Sequence, residues 1–346
     1  MMSEPTLREL RVAAFTGGKN VPSARFRVRQ YADDLSAAGI TLSEYFPASG
    51  DAYPPAGVAR RIPWIVSQAS QRLAQVAAAR SSDVTMLQRQ MISTVNSLER
   101  VTRGPRILDV DDAIWLSAKF RSVDRLASLC DGVICGNAWL GDYFAKHSRK
   151  IHLLPTAVDA RFWRPALSKA RSGRRFIGWI GTASNLPYLE AIEGALAIVL
   201  KALTDVDLLV VSNEAPTFAN LPHHRVIYKP WSESTEIADI QSMSLGLMPL
   251  TDSLWARGKC SFKMLQYMAC GVPAVVSPVG MNSEVAAMGG AVTAGSESEW
   301  VDALVALLSN ERLHGALSVQ ARSTVVEHYS TELIATRLGD ILRAYR

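Results

Sequence analysis

The chain lacks the segments that carry a protein into or across a membrane. None of its 346 residues falls in an uninterrupted apolar run of about 18, the length that a transmembrane helix requires. Residues 1–10 contain no apolar core of the kind found in a secretory signal peptide. A cytoplasmic location is therefore expected, and basic clusters along the chain leave open peripheral contact with the inner face of a membrane.

Cysteine is scarce, and there is no strong excess of either charge. The four cysteines, Cys130, Cys135, Cys260 and Cys270, include no Cys-x-x-Cys pair. Reduced, buried thiols are therefore expected rather than a zinc site, and no metal is assigned. The net charge of +5 is small for this length and does not indicate a nucleic-acid partner.

Apolar, strand-like runs alternate with helix-like runs along most of the chain. Strands are predicted at 10–16, 40–46, 83–88, 105–110 and 131–136, with an amphipathic helix over about 62–80. After a polar linker at 164–175, a second series of strands is predicted at 175–181, 206–213, 225–231, 245–250 and 273–278. Such βαβ alternation is typical of parallel sheets covered by helices on both faces.

The predicted fold class is therefore α/β, with two Rossmann-like, doubly wound parallel-sheet domains. The N-terminal domain is expected over 1–165 and the C-terminal domain over 166–325. The last part of the chain, residues 297–346, contains no strand candidate and is expected to be largely helical. Ligands bind such sheets at the loops that follow the strands, so an interdomain cleft lined by these loops is the expected site.

The first of these loops follows the first predicted strand. Gly17 and Gly18 would allow the backbone to approach a ligand closely, and Ser23 is a candidate N-cap of the next helix. Arg25 and Arg27 would lie near its first turn, where anions are favoured. The loop therefore predicts a site for a phosphate; a tight turn with exposed arginines is the alternative.

Three carboxylates crowd the end of the strand over 105–110. Asp109, Asp111 and Asp112 would raise each other's pKa values unless a cation lies between them. Asp111 and Asp112 are therefore candidates for a general base, an electrostatic stabiliser or acceptors of sugar hydroxyl groups, and metal ligation ranks lower. Capping of a following helix is the alternative.

Two loops of the second half could hold parts of a nucleotide. Gly181 and Thr182 follow its first strand, where backbone amides suit a diphosphate and Asn185 could cap the next helix. Lys229 and Trp231 follow a later strand and could hold a nucleobase. A core position is the alternative for Trp231.

The stretch over 257–278 predicts a short helix with an anion near its start. Ser261 is the candidate N-cap, Phe262 the first helical residue and Lys263 the second. A lysine in the first turn opposes the helix dipole, so a bound anion would stabilise it. Gln266 lies one turn further on and suits ribose hydroxyl groups. The predicted phosphate-binding side chains are Lys263, Arg257 and Lys259.

The segment "KCSFKMLQYMACGVPAVVSPVGMNSEV" resembles the donor-binding segment of GT-B glycosyltransferases of the family 4 (group 1) type. The segments "SARFRVRQYADDLSAAGI", "DGVICGNAWLGDYF", "LLPTAVDARFW" and "FIGWIGTASNLPYLEAI" resemble that family in the same order. The resemblance implies transfer of a sugar from a nucleotide-sugar to a glycan or lipid-linked acceptor, with retention and without a required metal or cofactor. It also implies a role in polysaccharide biosynthesis, and a last helix, over 326–346, that crosses back to the N-terminal domain.

The chain departs from this family at several site positions. The family's paired glutamates correspond to Gly258 and Gln266, and its histidine at a strand end corresponds to Asp111. The family's Arg and Lys after the first strand of the C-terminal domain are absent, and Lys263 with its basic neighbours would replace them. A silent nucleotide-sugar- or glycan-binding protein and a sugar-nucleotide epimerase or hydrolase of the same fold are therefore the alternatives.

Overall fold

Two parallel six-stranded sheets organise the chain, each in its own compact unit. The computed structural model describes residues 9–48, 55, 57–92, 98–117, 122–167 and 173–346. The first unit extends to Ala157 and includes Gly258–Cys260 and Thr331–Arg346, whereas the second comprises Val158–Arg257 and Ser261–Ser330. The domain boundaries expected at residues 165 and 325 remain predictions.

Within its described residues, the first unit contains six strands and six α-helices. The strands are β1 (Leu10–Phe15), β2 (Ile40–Tyr45), β3 (Val84–Gln88), β4 (Arg106–Val110), β5 (Gly132–Cys135) and β6 (Ile151–Leu153). They form a parallel sheet in the order β2-β1-β3-β4-β5-β6. The helices are α1 (Pro22–Arg27), α2 (Ala32–Ala37), α3 (Val58–Ala78), α4 (Val123–Leu129), α5 (Ala138–Phe144) and the last helix of the chain, Thr331–Arg343.

The second unit has the same architecture. Its strands are β7 (Arg175–Ile180), β8 (Val206–Ser212), β9 (Val226–Pro230), β10 (Leu245–Met248), β11 (Ala274–Val276) and β12 (Ala291–Thr293). They form a parallel sheet in the order β12-β11-β10-β7-β8-β9. The helices are α6 (Leu186–Glu190), α7 (Glu193–Ala202), α8 (Glu236–Gln241), α9 (Leu254–Arg257), α10 (Phe262–Ala269), α11 (Met281–Met288), α12 (Glu297–Ser309) and α13 (Glu311–His328); Thr331–Arg343 is α14.

The α/β fold class with two parallel sheets is confirmed, and all ten predicted strands are present. Two three-residue strands, β6 and β12, were not predicted, because such short runs carry too little periodicity. The single helix expected after β1 is broken into α1, a 3-10 turn at Arg29–Tyr31 and α2. The predicted linker at 164–175 lies partly outside the described residues.

The central strands of the first sheet, β3, β4 and β5, are buried on both faces along nearly their whole length. Val12, Ile107 and Ile134 lie in one core cluster with Leu338 and Leu342 of α14. This double burial explains why the strands read as continuous apolar runs. The four cysteines are buried and unpaired, as expected.

In the second unit, α10 lies close against the sheet because of a glycine. A Cβ atom on Gly246 of β10 would lie 2.4 Å from the ring of Tyr267. The hydroxyl group of Tyr267 in turn accepts a hydrogen bond from the amide of Ile180, the last residue of β7, at 2.9 Å. This close approach fixes α10 against β10 and beside the carboxyl end of β7.

Candidate functional site

The helix α10 starts at Ser261, which has an unusual backbone conformation. Its φ of 52° lies in the left-handed region, which is rare for a residue other than glycine. The Ser261 hydroxyl group donates to Asn282 Oδ1 at 2.7 Å and makes no capping bond to the helix. Ser261 is thus the N-cap by position, but the prediction that its side chain caps the helix is wrong.

Asn282 connects the start of α10 to two strand ends. Its side-chain amide donates to the carbonyl oxygen of Ser277, just after β11, at 3.2 Å. It also lies 3.5 Å from the carbonyl oxygen of Met248, the last residue of β10. Because Asn282 and Ser261 are both about 1% exposed, this polar network holds the helix start rigidly at the edge of the sheet.

Lys263 and Gln266 form a hydrogen-bonded pair on the first turns of α10. Lys263 Nζ donates to Gln266 Oε1 at 2.9 Å, and Lys263 Nζ also lies 5.8 Å from the ring centre of Phe262. Gln266 is fully buried, yet its Nε2 atom has no hydrogen-bond partner. A buried donor without a partner is costly, so this atom marks a place where a ligand oxygen would be stabilising.

The amides of the first helical turn add to this site. The first backbone bond of α10 runs from the amide of Leu265 to the carbonyl oxygen of Ser261. The amides that precede it, from Phe262 to Met264, point out of the start of the helix, as the first amides of any α-helix do. Together with the positive charge of Lys263, they form an environment that favours a phosphate group.

The three predicted phosphate-binding cations occupy different environments. Arg257 makes a two-pronged ion pair with Asp252, with both N–O distances at 2.7 Å. This exposed pair lowers the pKa of Asp252, and the hydrogen bonds raise the pKa of Arg257. Lys259 belongs to the first unit, whereas Lys263 belongs to the second. Of the three, Lys263 is the one on α10, beside the buried amide of Gln266.

The loop after β7 differs from its prediction in one respect. The amide of Gly181 donates to the carbonyl oxygen of Val211 at 3.1 Å, so this amide is not available to a diphosphate. Thr182 is exposed, and its hydroxyl accepts from Asn185 Nδ2 at 2.8 Å. Asn185 precedes α6 as expected but makes no capping bond through its side chain. Ligand contact by Gly181 and Thr182 remains a prediction.

The residues predicted to hold a nucleobase lie at the edge strand β9. Lys229 Nζ pairs with Asp239 at 2.9 Å, and the indole nitrogen of Trp231 donates to Glu236 at 3.2 Å. Trp231 is 43% exposed, which rules out the core position that was its alternative. Its ring is therefore held by Glu236 with much of its surface accessible.

In the first unit, the predicted cluster of arginines near α1 is dispersed. Arg27 is buried and forms a two-pronged pair with Asp109, with an Nη2–Oδ1 distance of 2.5 Å. Arg29 pairs with Glu44, and Arg25 lies 4.7 Å from the ring centre of Phe26. Arg27 therefore binds a buried carboxylate of the core and is not available to a phosphate.

The loop after β1 agrees with its prediction only in part. Gly17 and Gly18 follow the end of β1, and the carbonyl oxygen of Gly18 accepts from the amide of Val21. The helix begins at Pro22 rather than after Ser23, so Ser23 is not its N-cap. Acceptor or phosphate binding by Gly17, Gly18 and Arg25 remains a prediction.

Asp111 and Asp112 share a cation that sequence reasoning missed. Arg89 Nη2 lies 2.8 Å from Asp111 Oδ1 and 3.1 Å from Asp112 Oδ2. Arg89 follows β3 directly and has a left-handed φ of 64°. The sequence could have indicated this contact, because Arg89 directly follows β3 and Asp111 directly follows β4. The ends of these two strands are neighbours in the parallel sheet. The alternative role of helix capping is excluded, because Ala113 is the N-cap of the 3-10 turn at Ile114–Leu116.

The two carboxylates have different pKa values despite this shared arginine. Burial raises the pKa of Asp111, but the charge of Arg89 outweighs this and the net shift is downward. Burial and the neighbouring charge of Asp111 raise the pKa of Asp112 to about 6, against the attraction of Arg89 and Lys259. Pairs of carboxyl groups with separated pKa values are typical of acid–base sites.

The segment Gly258–Cys260 packs against this aspartate pair within the first unit. A Cβ atom on Gly258 would lie 2.7 Å from Ala113 Cβ and 2.8 Å from its amide nitrogen. The carbonyl oxygen of Lys259 accepts from Asn137 Nδ2 at 3.1 Å. Cys260 Sγ donates to the carbonyl oxygen of Asp111 at 3.1 Å. This packing leaves no space for a side chain at position 258.

Comparison with known proteins identifies this architecture. Residues 174–310 match the model of the family described as glycosyl transferases group 1. Sucrose-phosphate synthase from Thermosynechococcus elongatus is 13% identical, with 97% of this chain and 99% of that chain covered and a TM-score of 0.68. HepE of Anabaena, solved with UDP and glucose, is 12% identical, with coverage of 97% and 100% and a TM-score of 0.69.

WaaG, a glycosyltransferase involved in lipopolysaccharide biosynthesis, has the same fold at 11% identity, with coverage of 96% and 99% and a TM-score of 0.63. The two sheets therefore have the GT-B fold of glycosyltransferases. No curated protein sequence gives a significant match. Among the described helices, none combines the length and apolarity needed to cross a membrane.

Proposed function

We propose that the protein is a glycosyltransferase that moves a sugar from a nucleotide-sugar to a glycan or lipid-linked acceptor. The observation that carries the proposal is the pair Lys263–Gln266 within the segment that matches the glycosyl transferases group 1 model. Its buried, unpartnered Gln266 Nε2 and the first-turn amides of α10 offer donors to a nucleotide. The nucleotide-sugar is a co-substrate, and the reaction needs no further cofactor.

The donor we propose is a UDP-sugar. HepE of Anabaena, which shares the fold, was solved in complexes with UDP and with UDP-glucose. In this chain, Gln266 Nε2 would donate to a ribose hydroxyl group, and Trp231 with Lys229 would hold the base. A hexose is the proposed sugar.

Catalysis would rest on stabilising the departing diphosphate. The acceptor's oxygen forms a bond to the anomeric carbon while the bond from that carbon to the diphosphate oxygen breaks with its electron pair. Lys263 and the first-turn amides of α10 would stabilise the negative charge that develops, without a metal. Asp112 would take the acceptor's proton, and Asp111, held ionised by Arg89, would orient the acceptor. Retention of configuration is part of the proposal, and it requires the acceptor's oxygen to approach on the same face of the sugar that the diphosphate leaves.

The acceptor is proposed to be a component of a surface polysaccharide or a lipid-linked glycan. Arg25, Gly17 and Gly18 would then bind its phosphate. An enzyme of this kind would act in the cytoplasm or at the inner face of the membrane.

One observation favours a second candidate, a nucleotide-sugar-binding protein without turnover. The family's two glutamates are replaced by Gly258 and Gln266, so neither acid is present. The packing of Gly258 against Ala113 excludes any side chain that could substitute for the first acid. An epimerase or hydrolase of the same fold is a third candidate.

A panel of UDP-, GDP-, ADP- and CMP-sugars separates these candidates. Thermal shifts identify the bound donor, because a ligand that binds the native state raises the melting temperature. Release of nucleotide that depends on an added glycan or lipid-linked acceptor supports transfer. Release of nucleotide without an acceptor indicates a hydrolase, and isomerisation of the donor indicates an epimerase. Binding of a donor without any product indicates a nucleotide-sugar-binding protein without turnover. A chain that binds none of these donors would contradict the proposal.

A further inference from the structure

The strand β3 ends in a glutamine whose buried amide is not satisfied by the protein. Gln88 is the last residue of β3 and is 2% exposed. Its Nε2 atom makes no hydrogen bond within the part of the chain that the structure describes. A buried N–H donor without an acceptor lowers stability, and an apolar side chain of the same size would avoid this cost. The amide therefore needs an explanation other than folding.

The end of β3 lies at the topological switch point of the first sheet. In the order β2-β1-β3-β4-β5-β6, the chain runs outward from β1 to β2 on one side and from β3 to β6 on the other. Doubly wound sheets bind their ligands outside the carboxyl ends of the strands at this point. The strands that border it are β1, which is followed by Gly17 and Gly18, and β3, which ends at Gln88.

A buried ion pair lies beside Gln88 but leaves its amide free for a ligand. Gln88 is opposite Asp109 of β4 in the parallel register, so both side chains lie on the same face of the sheet. Arg27 donates to both carboxylate oxygens of Asp109, through Nη2 at 2.5 Å and through Nε at 3.1 Å. The carboxylate next to Gln88 is thus engaged by Arg27 at each oxygen.

The chain connects Gln88 directly to the aspartate pair of the candidate site. Arg89 is the next residue, and its Nη2 atom lies 2.8 Å from Asp111 and 3.1 Å from Asp112. Its left-handed φ of 64° turns the chain sharply just after Gln88. A ligand that contacts Asp111 and Asp112 therefore lies at the same edge of the sheet as the amide of Gln88.

We propose that Gln88 binds the acceptor sugar by donating through Nε2 to one of its hydroxyl oxygens. This inference rests on the proposed function, because it assigns a residue to the acceptor side of the transfer. Ionised Asp111 and Asp112 only accept hydrogen bonds, whereas the Nε2 group of Gln88 only donates them. A sugar presents hydroxyl groups that do both, so it matches this combination of donors and acceptors. Gln88 is thereby a determinant of acceptor specificity, since an analogue without that hydroxyl group would leave the amide unpaired.

The first test follows the side-chain amide of Gln88 by NMR in the full chain labelled with ¹⁵N-glutamine. The signal is assigned by its absence from the Gln88→Leu variant. The probes are the methyl α-glycosides of glucose, galactose and mannose, and UDP. At least one glycoside is expected to shift the signal, whereas UDP alone should not, since the proposed nucleotide site lies in the second unit. A signal that no glycoside moves, or that UDP alone moves, would overturn the inference.

The second test measures transfer to the glycoside that shifts the signal. Gln88→Leu should raise KM for this glycoside by at least about tenfold, because a hydrogen bond to the acceptor is lost. The affinity for UDP should not change, and the melting temperature should stay level or rise. An unchanged KM would overturn the inference even where sugar transfer itself is confirmed. A glycoside that shifts the signal without any transfer would support binding by Gln88 and contradict only the proposed transfer.

The matched control is Gln30→Leu, a glutamine of the same unit whose amide is satisfied by the protein. Gln30 Nε2 donates to the carbonyl oxygens of Phe26 at 2.6 Å and of Ala157 at 3.0 Å. Its replacement should lower the melting temperature and leave KM for the glycoside at the wild-type value. The two variants should therefore have opposite effects on stability and on acceptor binding.

Discussion

Lys263 donates to the Oε1 atom of Gln266 at 2.9 Å, while the Nε2 atom of the same buried amide has no partner. The lysine therefore holds the amide in one orientation. With its oxygen engaged, Gln266 presents its two N–H donors to a neighbouring acceptor. We propose that this amide donates to a ribose hydroxyl group while Lys263 binds the neighbouring phosphate.

Lys263 is expected to matter far more for donor binding than a lysine elsewhere on the second unit. Lys263→Ala removes a charged hydrogen-bond donor, and nucleotide affinity should fall by about 10- to 100-fold. The control is Lys201→Ala on α7, where the side chain is exposed. Isothermal titration with UDP compares the two variants, and equal affinities would contradict the assignment of Lys263.

Gln266→Leu is expected to separate stability from binding. Leucine is similar in size and removes the unsatisfied Nε2 donor, so the melting temperature should stay level or rise. Nucleotide affinity should fall, because the ribose would lose its donor. Gln320→Leu, an exposed change on α13, serves as the control and should leave affinity unchanged. A Gln266→Leu variant that binds UDP as well as the wild type would show that this amide does not contact the nucleotide.

The fold was largely predictable because parallel strands buried on both faces leave long apolar runs between turn signals. The site was less predictable because its key contacts join residues that are distant in sequence. Arg27 and Asp109 are 82 positions apart, and Arg89 lies 22 positions before Asp111. Charge clustering along the chain therefore suggested phosphate-binding arginines, whereas the packed structure pairs Arg27 with a buried carboxylate.

Helix α10 illustrates both what the sequence predicted and what it could not predict. Its start at Phe262 and its end before Gly271 followed from local chemistry, and Gly271 has the positive φ of 66° that such an end favours. The hydrogen bond from Ser261 to Asn282 did not follow, because it depends on a residue from another helix. Capping propensity describes a residue's neighbours along the chain and cannot anticipate such a partner.

Asp112 is expected to impose a pH dependence on activity and on stability. As a proton acceptor it must be ionised, so activity should rise with pH through its pKa of about 6. Its pKa in the folded chain is raised above the ordinary value of 3.8, so it favours folding at low pH. This contribution is lost as pH rises from about 4 to about 6.

Asp112→Asn should abolish the rise of activity with pH. It should also remove the loss of stability that occurs as pH rises from about 4 to about 6. Rates and melting temperatures measured from pH 4 to pH 8 check both effects. The control is Asp340→Asn, whose side chain is 73% exposed, and it should keep the wild-type profile. If Asp112→Asn retained full activity with the same pH profile, Asp112 would not be the proton acceptor.

Arg27 and Asp109 are expected to be strongly coupled. Burial raises the pKa of Asp109 against the attraction of Arg27, so each charge depends on the other. Asp109→Leu alone would leave a buried guanidinium without its partner and should cost about 3–5 kcal/mol. The double variant Arg27→Met/Asp109→Leu should cost clearly less than the sum of the single changes.

Urea unfolding of the single and double variants measures this coupling. The exposed pair Arg175–Asp205 provides the control, since its removal should cost about 0–1 kcal/mol. Additive costs for Arg27 and Asp109 would contradict the coupling.

Gly258 is expected to be required by packing, so that no glutamate fits at this position. A Cβ atom there would lie 2.8 Å from the backbone nitrogen of Ala113, and a backbone atom cannot move aside as a side chain can. Gly258→Ala should therefore destabilise the chain by about 1–3 kcal/mol, and Gly258→Glu by more. Gly315→Ala in the middle of α13 is the matched control, because its Cβ would meet nothing within 4 Å and alanine favours a helix by about 1 kcal/mol. The two alanine variants should thus shift the melting temperature in opposite directions. A stable Gly258→Glu variant would instead show that the structure has space for a side chain at this position.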